Sequence, residues 1–153
     1  RVLMGAVAGV ADFPGRALHG GAPWGWQSFP EFLASLAGGA FGADLALQVP
    51  HAEVRRHVMG GRGAAGGQAR PDDIVAMARL AKQGIQAGAL GFSTSRTRNH
   101  KTSLGEYTPT LTAGLDELVG IARSTGQTGT RVRPAVTDLH DGDAAIGTGP
   151  LRV

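Results

Sequence analysis

A short apolar run, Ala89-Leu-Gly-Phe92, stops abruptly in Ser93-Thr-Ser95 and then in Arg96-Thr-Arg-Asn-His100. A stretch this brief, opened by glycine and closed by hydroxyls and cations, predicts a buried strand that ends at a polar mouth. Two other stretches read the same way. Leu45-Ala-Leu-Gln-Val49 stops at Pro50, and Thr130–Val136 is a third strand, weakened by Pro134 because proline cannot donate to a ladder. The three recur about every 40–45 residues, with helical patterns between them. This alternation implies an α/β fold with a parallel sheet and helices outside it. In such folds ligands bind at the carboxyl ends of the strands. The rhythm fits a barrel segment and an open sheet equally.

The helices carry their own start and stop signals. Ser28 precedes Phe29-Pro-Glu31, so Ser28 and Glu31 suit a capping box and Pro30 suits the first turn. Phe29, Phe32, Leu33 and Leu36 share a face, and Gly38-Gly39 ends the helix. A brief helix spans Glu53 to Met59, and residues 62–70 read as a flexible loop. Pro71-Asp72-Asp73 opens the strongest helix, with acids placed to complement its dipole. Its buried stripe is Ile74, Met77, Ala78, Ala81 and Ile85. Residues 93–113 read as a long polar loop, and Leu115, Leu118, Val119 and Ala122 mark one more amphipathic helix. Residues 1–27 read as an irregular loop.

Composition excludes several classes. Hydrophobic residues make up 42% and charged residues 18%, which suits a globular chain rather than a disordered one. The net charge of +3 comes from basic residues spread along the chain, which argues against a nucleic-acid interface. The chain has no cysteine, which excludes disulfides and thiolate metal sites within it and fits a cytoplasmic protein. No apolar run approaches the roughly 18 residues of a membrane span, and no charged-then-apolar leader is present. Neither a phosphate-binding Gly-x-x-x-x-Gly-Lys-Ser/Thr nor a Gly-x-Gly-x-x-Gly after a strand occurs.

The candidate site follows from the strand ends. His51 directly follows the first strand, where a histidine can ligate metal, move protons or donate to substrate. Arg55, one helical turn on, can support an anion there or face water. Ser93, Thr94 and Ser95 can donate to a carboxylate or phosphate, Arg96 and Arg98 can add charge, and His100 can orient or titrate. We take His51, Ser93, Thr94, Arg96 and His100 as residues that shape a pocket for a small molecule. His140 among Asp138, Asp141 and Asp143 reads as an acidic surface turn rather than a metal site. His19 and His57 have no identifiable partner, Trp24 and Trp26 pack in the first loop, and Asp116-Glu117 reads as a helix first turn rather than an acid–base pair.

Several blocks carry a family resemblance. They are Gly9–Leu18, Pro23–Leu33, Gln48–His51, Val58–Gly63 and Ala87–Thr97, the last reading Ala-Gly-Ala-Leu-Gly-Phe-Ser-Thr-Ser-Arg-Thr. In order and spacing they resemble the N-acyl-D-amino-acid deacylases (D-aminoacylases) of the amidohydrolase superfamily, over about residues 5 to 125. The resemblance implies a (β/α)8 TIM-type barrel, of which this chain supplies about three βα units. It also implies zinc that polarises the acyl carbonyl and activates water. The family's metal ligands include a His-x-His pair and a cysteine, and the chain contains neither. No metal ligand is therefore assigned within it. Where some deacylases carry a substrate-contacting tyrosine, this chain has Arg98.

A complete barrel takes roughly 250 residues, so the 153 residues are read as one incomplete internal segment of a longer hydrolase. The segment is expected to be inactive alone, and the tail from about residue 130 matches the family poorly. The rival expectation is a non-catalytic α/β domain that binds a small anion through residues 93–100.

Overall fold

A computed structural model describes residues 25–102, 104–129 and 135–137. Helix α1 (Phe29–Ala37) is followed by strand β1 (Gln48–Pro50) and helix α2 (His51–Met59). A short helix α3 (Gly61–Ala64), the long α4 (Pro71–Gln86), strand β2 (Gly91–Arg96), helix α5 (Leu115–Gly126) and strand β3 (Ala135–Thr137) complete the order. The strands pair in parallel in the order β1-β2-β3. Val49 lies beside Phe92, and Thr94 beside Ala135. The chain is thus mixed α/β with parallel strands joined through helices.

The predicted caps are realised. Ser28 Oγ accepts from the Glu31 backbone N–H at 3.3 Å, and the Glu31 carboxylate accepts from the backbone of Ser28 and, at 2.6 Å, of Gln27. At the start of α4, Asp73 accepts from the Arg70 backbone at 2.8 Å and grips the Arg62 guanidinium with both oxygens, at 2.8 and 3.1 Å. Those contacts, Arg62 foremost, hold the Asp73 carboxyl below its ordinary range. The stripe expected on α4 packs inward: Met77, Ala81 and Ile85 are buried, with Ile74 and Ala78 against them.

Close approach of α4 to β1 and of α5 to α4 depends on glycine. A Cβ on Gly84 would lie 2.5 Å from Val49 Cγ2, and one on Gly120 would lie 2.6 Å from Ile74 Cγ2. The first lets α4 rest on β1, and the second lets α5 rest on α4. Phe92, Val49 and Ile121 join the α4 stripe in one core.

Several boundaries differ from expectation. The first strand runs over 48–50 rather than 45–49, and Leu45 is exposed. Helix α2 starts at His51, with Pro50 as its cap, rather than at Glu53. Part of the expected loop at 62–70 is helix α3. The largest correction is β2: it continues to Arg96 instead of stopping at Phe92, so the polar loop begins at Thr97. β1 pairs with the strand as far as Ser93 and β3 pairs with it from Thr94 to Arg96, and tertiary pairing overrides a polar composition. On α5 the buried face is Glu117, Leu118, Ile121, Ala122 and Thr125, whereas Leu115 is exposed. The third strand is described at 135–137. Residues 130–134, the 138–143 cluster, His19 and Trp24 lie outside the described residues.

Candidate functional site

The register of the strands decides which side chains meet. Alternate residues of a strand face opposite sides. Val49 packs toward α4 at Gly84, and its neighbour Phe92 lies 5.2 Å, ring to ring, from His51. Thr94 and Arg96 follow Phe92 on this helix-covered face. Ser93 and Ser95 alternate to the other face. The five predicted residues therefore divide. His51, Thr94 and Arg96 come together under the helices, whereas Ser93 and His100 do not join them. His100 Nδ1 instead pairs with Ser95 Oγ at 2.6 Å, and the Ser95 carbonyl accepts from the Thr110 hydroxyl.

His51 opens α2 at the mouth of β1 and is 1% exposed. Its Nδ1 lies 2.7 Å from Thr94 Oγ1, and its Nε2 lies 2.8 Å from Glu117 Oε1. Glu117 reaches it from the first turn of α5 and is also 1% exposed. The same carboxylate oxygen accepts from Arg55 Nε at 3.0 Å. Arg55 is wholly buried, and its two terminal nitrogens donate to the carbonyls of Pro109 and Gly67. Arg55 thus neither faces water nor waits for an anion. It ties α2 to two loops and to Glu117. All five of its N–H groups are not needed for this, but its charge is met by the carboxylate, the arrangement a buried cation requires.

The protonation state follows from partners. A carboxylate only accepts, so His51 Nε2 carries the proton and Nδ1 accepts from the Thr94 hydroxyl. Burial lowers the affinity of His51 for a second proton below its ordinary value. The Glu117 hydrogen bond and charge oppose that shift, and the charges of Arg55 and Arg96 reinforce it. The result is a neutral imidazole between a hydroxyl and a carboxylate, the order used to activate a hydroxyl as a nucleophile. Arg96 is 7% exposed. Burial lowers its pKa, opposed by the charge of Glu117. Among the described residues, Arg96 Nε and Glu117 Oε2 are buried without a hydrogen-bond partner.

Sequence reading missed Glu117 and misread Arg55. The signal was helical spacing: Glu117, Ile121 and Thr125 fall at i, i+4 and i+8 on α5, and His51, Arg55 and Met59 do so on α2. A charged residue on a buried stripe implies a buried partner. His57 is exposed, and Trp26 packs on Phe32 with ring centroids 4.9 Å apart. No group of three or more His, Asp or Glu among the described residues could hold a metal ion. Among the same residues, no helix is long and apolar enough to cross a membrane. Comparison with protein-family models, curated proteins and solved structures gives no match.

Proposed function

We propose that this chain is a segment of a zinc-dependent amidohydrolase that cleaves the amide bond of N-acyl-D-amino acids or related small amides. One observation carries the reading. The two blocks Gln48–His51 and Ala87–Thr97, separate in sequence, lie on adjacent parallel strands, and His51 of one bonds Thr94 of the other. Their polar residues gather at the carboxyl ends of those strands, where a (β/α)8 barrel binds substrate. Sequential strand order, with α2, α4 and α5 packed on one face, suits consecutive units of a partial (β/α)8 barrel. On this reading Ser93 and His100 contact substrate from the face opposite the helices, and the Glu117 cluster fixes the strand ends.

The described residues do not supply a zinc site. In the proposed enzyme the metal is held by residues outside them. The proposed setting is the cytoplasm, with a small amide as partner. The test is hydrolysis of N-acetyl-D-amino acids by the complete product of the gene, with and without a chelator. D-selective hydrolysis that needs zinc supports the reading, and a zinc-loaded, folded product that leaves all such amides intact rejects it.

The unpartnered Arg96 Nε favours a second reading, a domain that binds a small anion near residues 93–100. Anion binding that survives chelation, without amide hydrolysis, would select it.

A further inference from the structure

The Thr94–His51–Glu117 row has a chemical capacity that metal-assisted amide hydrolysis does not use. Three elements far apart in sequence supply a hydroxyl, an imidazole and a carboxylate, joined at 2.7 and 2.8 Å. The imidazole is oriented by a carboxylate that Arg55 pins in turn. Thr94, which carries the hydroxyl, is the one member that is half-buried rather than buried. Two residues along the same strand face, Arg96 places a buried guanidinium whose Nε has no hydrogen-bond partner among the described residues. Nucleophile, base, orienting acid and a cation for developing negative charge are the parts an acyl-transfer site needs.

We infer that Thr94 is a nucleophile for acyl transfer from small activated esters, with His51 as general base, Arg96 as the oxyanion's cation and Glu117 as a positioning residue. Thr94 Oγ1 attacks the ester carbonyl carbon while its proton passes to His51 Nδ1. The imidazolium formed is held through Nε2–H by Glu117. The oxyanion collapses, the bond to the leaving oxygen breaks, and that oxygen takes the proton from Nδ1. The products are an alcohol and an acyl ester on Thr94. Water then attacks this ester and gives a proton to His51 Nδ1; the bond from the acyl carbon to Thr94 Oγ1 breaks, Oγ1 takes that proton back, and the carboxylic acid leaves. No metal or redox partner enters the balance.

The experiment treats the complete product of the gene with p-nitrophenyl acetate in the presence of a chelator and maps acetylated peptides by mass spectrometry. Expected are a burst of nitrophenolate and acetylation at Thr94, kept by Thr94→Ser and lost by Thr94→Val. His51→Gln should slow acylation by about 100-fold or more. The positioning role of Glu117 is read from the pH profile. Acylation should rise with pH as His51 loses its second proton, at a pH lowered first by burial and then adjusted by Glu117, Arg55 and Arg96 around it. Glu117→Gln removes the group that favours the imidazolium, so the rise should move to lower pH while the plateau falls. A folded chain that shows no acetylation at Thr94, or one acetylated at other residues alone, overturns the inference. Should Thr94→Val fail to melt cooperatively, the mapped site in the unaltered chain and the Thr94→Ser rate decide the matter. Because the assay excludes metal, its failure and the failure of the zinc-dependent reading are separate results.

Discussion

Removing the Glu117 carboxylate tests the logic of the buried cluster most directly. Glu117 is 1% exposed and accepts from both His51 and Arg55 through one oxygen. Glu117→Ala leaves the Arg55 guanidinium, at 0% exposure, without its counter-charge. Breaking a buried pair on one side costs about 3–5 kcal/mol. The bonds from Arg55 to Pro109 and Gly67 survive the change, which places the expected loss near the lower end, about 3 kcal/mol. Glu117→Gln keeps an acceptor and loses only the charge, so about 1.5–3 kcal/mol is expected.

Urea unfolding near pH 7.5 provides the assay. With a slope of about 1–3 kcal/mol per molar urea, the alanine variant should lower the midpoint by about 1 M or more. A cycle adds the decisive comparison. Arg55→Met removes the stranded charge, so Arg55→Met with Glu117→Ala should cost less than the sum of the two single changes. A loss below about 1 kcal/mol for Glu117→Ala, or strict additivity in the cycle, would refute the claim that these charges depend on each other.

Two further outcomes follow from the same structure. Because burial lowers the pKa of His51 below its ordinary 6.5, the unfolded chain binds that proton more readily than the folded one. The contribution of His51 is therefore fully present above pH 6.5 and is lost as pH falls toward the folded value, by at most about 1.4 kcal/mol per pH unit. His51→Gln should flatten this slope in pH-dependent unfolding, and an unchanged slope would remove His51 from the account. Gly84→Ala forces a methyl against Val49 and Phe29 and should cost about 1–3 kcal/mol by overpacking, read from the thermal midpoint; a neutral result would mean that α4 does not rest on β1 as closely as described.

Local chemistry was legible where it acts over short range. Ser28, Glu31 and Pro30 announced α1, Pro71 and Asp73 announced α4, and the spacing of Met77, Ala81 and Ile85 named a buried face that the fold confirms. The polar run Ser93–Arg96 was harder. Its hydroxyls and arginine suit a loop in isolation, yet parallel pairing with β1 at Ser93 and with β3 from Thr94 to Arg96 holds it as strand. That one change reassigns the candidates, because alternation turns Thr94 and Arg96 toward the helices and Ser93 to the other face.

The amino-acid sequence by itself determined helices α1, α4 and α5, the starts of α1 and α4, and the strand–helix alternation that points to parallel pairing. These depend on caps, proline, glycine and periodicity, which act within a turn or two. Only the tertiary structure decided that Glu117 meets His51 across 66 positions and Arg55 across 62. No local rule measures that distance. Once the strands pair in register and the helices close over them, a buried cation and imidazole must find an acceptor, and the carboxylate that α5 carries inward is the one that meets them.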